Sequence, residues 1–85
     1  MLYRRSARFR KQFKRQSEKV RYQAFEPLSV LEQNEFEVSL NNQKLSGKYA
    51  EYRSINITGD IRIAYKRVSD GFYLFAIGTH SELYK

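Results

Sequence analysis

From Tyr52 onward, apolar and polar residues alternate with a period of two. In YRSINIT, Arg53, Ile55 and Ile57 share one parity and Tyr52, Ser54 and Asn56 the other. IRIAYKRV sets Ile61, Ile63 and Tyr65 against Arg62, Ala64 and Lys66, and FYLFAIG follows. TGD and SDG separate the runs, and such short Gly/Asp clusters are hairpin signals. The pattern predicts three consecutive antiparallel strands, each with an oily and a more polar face. The N-terminal half follows a helical period instead. LYRR reads as a first edge strand, and Ser6 as the N-cap of a helix ARFRKQFKRQ in which Phe9 and Phe13 share a face. Ser17 caps a second helix starting at Glu18, whose apolar stripe is Val20, Ala24, Leu28 and Leu31. Pro27 interrupts that stripe, so either a kink or a fresh short helix is expected there. NEFEVSLNN reads as a connection with a short extended piece. The expectation is an α+β fold: two N-terminal helices packed on one face of a small antiparallel sheet, in a single domain spanning 1–85. The opposite face would be polar and concave, carrying Ser54, Asn56, Arg62 and Lys66.

Composition narrows the function classes. A chain of 85 residues buries only about 60% of the surface its unfolded form exposes. It has no cysteine and one histidine, which excludes disulfides, thiolate metal sites and a His-rich cluster. No apolar run is long enough to span a bilayer, and no apolar segment follows the N-terminal arginines as in a signal peptide. A soluble, cytoplasmic protein is expected. The net charge is +7, from 16 Lys+Arg against 9 Asp+Glu. Residues 1–25 hold nine Lys/Arg and one acid, whereas 26–42 hold four acids and no base. That asymmetry points to a polyanionic partner, nucleic acid or an acidic protein, rather than to an evenly basic surface. An amphipathic membrane helix over Ser6–Arg21 is disfavoured because so small a domain needs that apolar face for its core.

The candidate chemistry is sparse. His80 directly follows the last strand, and an imidazole, titrating near pH 6.5 in general, can give or take a proton at physiological pH. Tyr84 lies four residues on, one helical turn away, where it would either stack a nucleobase or plug the end of the domain. The competing reading of His80 is a surface histidine on a frayed tail. Asp60 and Arg62 follow the TGD turn. Asp60 either completes the turn or joins a site, and Arg62 points to the polar face, where a guanidinium can grip a phosphate with two donors. Arg53 is weaker, since its parity places it with Ile55 and Ile57. No Walker loop, GxGxxG, HExxH or CxxC occurs, so nucleotide, dinucleotide or metal-dependent chemistry has no motif here and no cofactor is expected.

The run KLSGKYAEYRSINITGDIRIAYKRVSDGFYLFAIGTHSELYK, with its set LxG…YRS…GDxRIxY…IGTHxELY, resembles the RelE/YafQ superfamily of type II toxin–antitoxin mRNA interferases. The resemblance is close over the C-terminal half; in the N-terminal half it rests on element order and basic character. It implies two helices on a twisted antiparallel sheet. It implies binding at the ribosomal A site, cleavage of mRNA through attack of a 2′-hydroxyl on its own phosphate, and inhibition by an acidic, partly disordered antitoxin. Position by position, His80 matches the C-terminal acid–base histidine of YafQ-like toxins and Asp60 an active-site aspartate. Tyr84 matches a terminal tyrosine, and Arg62 the phosphate-stabilising arginine, of RelE-like members. Arg53, Asn56, Lys66, Lys11, Lys14 and Arg15 are the expected contacts to messenger and ribosomal RNA. The chain also departs from both patterns. Gln43 and Asn56 stand where YafQ-like toxins usually have histidines, and Ile61 where they have an aromatic residue. RelE-like toxins carry lysines around Ser54 and Asn56 and another basic residue at the place of His80. The alternatives are a toxin-fold protein that binds the ribosome, RNA or an antitoxin without cleaving, and, third, a ParE-like gyrase inhibitor on the same fold.

Overall fold

The computed structural model describes residues 2–84. Strand β1 (Leu2–Arg5) leads into helices α1 (Ala7–Arg15), α2 (Glu18–Gln23) and α3 (Phe25–Gln33). After a loop with a 3₁₀ turn at Val38–Leu40 come β2 (Gln43–Lys44), a second 3₁₀ turn at Gly47–Tyr49, β3 (Arg53–Thr58), β4 (Ile61–Val68), β5 (Gly71–Thr79) and the short helix α4 (His80–Leu83). The strand order is β1-β5-β4-β3-β2. The three hairpin-linked strands read from the periodicity are antiparallel as expected, but the sheet as a whole is mixed. LYRR forms an edge strand that pairs parallel to β5, Leu2 opposite Gly71 through Arg5 opposite Leu74. A parallel partner is reached because α1–α3 and the rest of the sheet separate β1 from β5 in the chain, as a crossover requires.

The helix boundaries follow local chemistry. The Ser6 hydroxyl accepts from the Phe9 N–H at 2.9 Å, and that of Ser17 from Val20 at 3.2 Å. These satisfy helix N–H groups that lack intrahelical partners. Pro27 starts no kink: the helix breaks at Ala24, and Pro27 falls in the first turn of α3, where its missing N–H is not needed. The one expected second helix is therefore two, α2 and α3. Arg21 Nη1 donates to the carbonyls of Gln16 and Lys14, closing the corner between α1 and α2.

One face of the sheet carries the main core. Phe9, Ala24, Leu31 and Leu40 close over Ile55, Ile57, Ile63, Tyr65, Phe72, Leu74 and Ile77. Strict alternation cannot place Phe72, Leu74 and Ile77 on one face. A bulge does: Tyr65 pairs with Leu74 and Ala64 with Ala76, leaving Phe75 as the extra residue. The opposite face is less polar than its sequence suggested. Ala64 and Ala76 are small enough for Leu45 and Leu83 to pack on them, with Tyr49, Tyr52, Phe75 and Tyr84 around this second cluster.

Tyr3 ties β1 to α3 by donating to the Leu28 carbonyl. Burial, reinforced by the nearby Glu32 charge, pushes its hydroxyl up to about 12 from the ordinary 10.0. The raised folded value means that Tyr3 supports the fold fully below pH 10.0. Between pH 10.0 and about 12 the unfolded chain ionises first, so that support is lost as pH rises. Thermal melts from pH 9 to 12 are expected to fall more steeply in the wild type than in Tyr3→Phe, which has no proton to lose there.

Candidate active site

The sheet end where β3 turns into β4 and β5 runs into α4 gathers most of the residues singled out from the sequence. Gly59, with φ of 51°, opens the tight β3–β4 turn in a left-handed conformation that a side chain resists. Asp60 follows it, exposed, and its carbonyl accepts the His80 N–H at 3.1 Å, which fastens α4 to the hairpin. Thr79 caps α4 in a reciprocal box: the Glu82 N–H donates to Thr79 Oγ1 at 3.2 Å and the Thr79 N–H to Glu82 Oε1 at 2.7 Å. Together these contacts orient an otherwise marginal four-residue helix.

His80 is exposed and lies flat on Tyr84, with ring centroids 4.3 Å apart and planes 12° from parallel. The two alternatives left open for Tyr84 therefore merge. One ring face is covered by His80, while the hydroxyl is anchored below: it lies 2.7 Å from Ser54 Oγ and donates to Gln43 Oε1 at a long 3.5 Å. Arg62 stands opposite Asn56 on β3 and Gly78 on β5. It is only 5% exposed, so it is not the open polar-face arginine that alternation predicted. Its Nε donates to Ser54 Oγ at 2.8 Å, and its Nη2 to the carbonyls of Asn41 at 2.6 Å and Ser54 at 3.0 Å. With Nε and Nη2 held by the protein, the guanidinium offers a fixed charge rather than a free two-pronged fork. Burial lowers its pKa from the usual value, partly offset by Tyr84 and Asp60; an arginine so placed stays protonated. An ordered relay results, in which Arg62 donates to Ser54 and the Ser54, Tyr84 and Gln43 oxygens follow in turn.

The structure thus brings His80, Tyr84, Asp60 and Arg62 to one end of the sheet, with Asn56 and Gln43 beside them. The other expected RNA contacts lie apart. Lys66 is four residues from Arg62 along β4, ion-paired with Glu51 at 3.0 Å and lying over the Tyr52 and Tyr73 rings. Arg53 points away from the cluster, donating to Asn42 Oδ1 at 2.5 Å and covering the Phe36 ring. Lys11, Lys14 and Arg15 form an exposed row on α1. Sequence reading missed three participants: Ser54 as the link between Arg62 and Tyr84, the Asn41 carbonyl, and a row of cations on rings. In that row Arg8 sits 5.0 Å over Phe75 and Lys48 5.3 Å over Tyr49, while Phe75 stacks on Tyr52 with centroids 4.5 Å apart. Asparagine tolerates left-handed backbone, so the Asn41–Asn42 pair was a signal for a special turn. The ring row had none, because it depends on the bulge at Phe75.

Gly78 is tied to the cap. A Cβ there would lie 2.7 Å from Glu82 Oε1, the atom that closes the box on Thr79. The carboxylate can swing away, but only by abandoning that bond. Gly78→Ala is expected to cost about 1 kcal/mol, the usual size of a lost cap. Amide exchange at Thr79 and Glu82 should accelerate while that of β4 stays slow.

The helix-backed sheet that carries this cluster has the fold of small bacterial toxins. The family model for the YafQ toxins, bacterial toxins of type II toxin–antitoxin systems, matches residues 1–85, and the chain belongs to that family. No curated protein matches the sequence. Among solved structures, a YoeB/ParE toxin from Agrobacterium tumefaciens superposes with a TM-score of 0.78 at 16% identity, over 94% of this chain and 99% of that one. The YoeB dimer from Staphylococcus aureus gives 0.79 at 18% identity, over 94% and 97%. The DinJ–YafQ toxin–antitoxin complex of E. coli gives 0.74 at 19% identity, over 99% and 97%. At these identities the likeness is one of fold. The RelE/YafQ resemblance and the α+β class read from the sequence both hold.

Proposed function

We propose that this toxin is an endoribonuclease that cuts mRNA on the ribosome, acting as one domain in the cytoplasm with no cofactor. The observation that carries the reading is the His80–Tyr84 stack, joined through Ser54 to the Arg62 guanidinium. It sets an exposed proton donor beside a fixed positive charge, which is what transesterification of RNA needs. In the reaction the ribose 2′-oxygen forms a bond to the adjacent phosphorus and the bond from phosphorus to the 5′-oxygen breaks. His80 gives its proton to that leaving oxygen, the 2′-hydroxyl proton passes to water, and a cyclic phosphate remains. Arg62 offsets charge gathering on the phosphoryl oxygens. Asp60 borders the site and Tyr84 holds the imidazole in plane. Gln43 and Asn56 cannot take the role of histidines as a base, so the rate depends on how well the ribosome positions the RNA. Lys11, Lys14, Arg15, Lys66 and, less directly, Arg53 contribute to phosphate attraction, and the rings flanked by Arg8 and Lys48 support the same electrostatic reading. An acidic antitoxin is the expected inhibitor, in keeping with the nine Lys/Arg of residues 1–25.

The test is induced expression in bacteria with mapping of mRNA 5′ ends. New ends inside translated codons, absent in His80→Ala, are the expected result. Growth arrest without new ends would overturn cleavage in favour of a binding inhibitor, the reading that Gln43 and Asn56 favour.

A further inference from the structure

Among the described residues Asn41 is the one non-glycine with positive φ, at φ 44° and ψ 55°. Such backbone costs on the order of 1 kcal/mol and persists only where the surroundings impose it. Its carbonyl is the acceptor for Arg62 Nη2 at 2.6 Å. What imposes the conformation is on the page. Leu40, just before it, is buried in the main core at 1% exposure. Asn42, just after it, spends its whole amide on the protein. Its Nδ2 donates to the Tyr65 hydroxyl at 2.6 Å and to the Glu35 carbonyl at 3.1 Å, and its Oδ1 accepts from Arg53 Nε at 2.5 Å. The Tyr65 hydroxyl in turn donates to Glu35 Oε2 at 2.6 Å, and Arg67 Nη2 pairs with Glu35 Oε1 at 3.1 Å. Tyr65 is fully buried on β4, three residues along from Arg62 itself.

We infer that Asn42 is a positioning residue for the toxin's site: its amide, clamped by Tyr65, Glu35 and Arg53, forces the Asn41 carbonyl inward and so fixes the direction of the Arg62 guanidinium. Arg62 has two independent anchors. Ser54 holds it from the neighbouring strand, which the sheet ladder makes rigid. Asn41 holds it from a loop, whose conformation depends on this network and on the buried Leu40 before it. Without the Asn41 acceptor the guanidinium keeps its Nε and Nη2 bonds to Ser54 but loses the shorter of the two bonds that hold Nη2. The catalytic consequence rests on the proposed RNA cleavage; the geometric one does not, and the experiment reads them separately.

The first reading is the Arg62 Nη2–H resonances in nitrogen-15 spectra of the purified, RNA-free protein. Asn42→Ala removes the whole latch. Tyr65→Phe keeps the ring in the core and removes only the hydroxyl. In both, the hydrogen exchange at Arg62 Nη2 is expected to accelerate tenfold or more while the Nε–H, still on Ser54, and the backbone amides of β4 and β5 keep their wild-type protection. Unchanged exchange in either folded variant would overturn the proposal. Unfolding of both variants would overturn it too, since the network would then hold the fold and not the guanidinium. The second reading applies to the wild type's RNA cleavage. Asn42→Ala should lower kcat about tenfold with KM within about twofold, the pattern of an interaction that matters only in the transition state. If the wild type cleaves no RNA, the function proposed above fails and the spectroscopic result still decides this inference.

Discussion

Replacing His80 with alanine is expected to slow RNA cleavage by roughly 10²- to 10⁴-fold, the range over which a positioned proton donor acts. The protein should remain folded. His80 is exposed, and what it gives the fold is one stacking contact with Tyr84, of about 0.5–1.5 kcal/mol. His80→Phe separates the two roles, because it keeps a flat ring on Tyr84 and removes the transferable proton. Loss of cleavage in both variants, with melting restored by phenylalanine, is the expected pair of results. Cleavage surviving in His80→Phe would reassign the histidine as a platform for a base.

Changing Arg62 is expected to do more, because it acts on stability and on the site together. Arg62→Ala removes a donor set that satisfies Ser54 Oγ, the Ser54 carbonyl and the Asn41 carbonyl, all at a buried position. Buried acceptors left without partners cost about 1–3 kcal/mol each, and relief from burying a charge returns part of it. A net loss of about 2 kcal/mol lowers the melting temperature by roughly 10 °C in a chain of this size. Arg62→Lys is the sharper probe. It keeps the positive charge, but a lysine cannot reach Ser54 and Asn41 with one rigid plane. Cleavage should fall by roughly 10²- to 10³-fold, the cost of one misplaced electrostatic stabiliser. A lysine variant as active as the wild type would show that charge alone suffices and that the held geometry is incidental.

Much of the architecture was legible in the chain. The alternation in residues 52–68 placed β3 and β4 within a residue of their ends, and Ser6 and Ser17 marked their helix starts. LYRR was read as an edge strand, but nothing local distinguishes a parallel edge from an antiparallel one. Pro27 signalled an interruption of the second helix, but the break falls at Ala24 and Pro27 lies in the first turn of α3. His80, Tyr84, Asp60 and Arg62, singled out from the sequence as a candidate site, do lie together, but their geometry was not legible. Parity placed Arg62 on a polar face, yet parity cannot tell that Leu45 and Leu83 would cover that face or that a loop carbonyl would meet the guanidinium. Those contacts come from loop conformations set by long-range packing. Lys66 shows the same limit: it shares a face with Arg62 but is pulled to Glu51.

The bulge at Phe75 carries an evolutionary consequence. On β5, Phe72 and Leu74 face the helices by even count, and Ile77 by odd, because one residue is unpaired between them. Loss of a single codon there would not simply shorten the strand. It would exchange inside for outside on one side of the lesion, turning Ile77 out of the core or carrying Gly78 and the His80 helix out of register with the Asp60 turn. Length drift in this strand is therefore tolerable only in steps of two, and lineages that keep the His80 corner must inherit the extra residue with it.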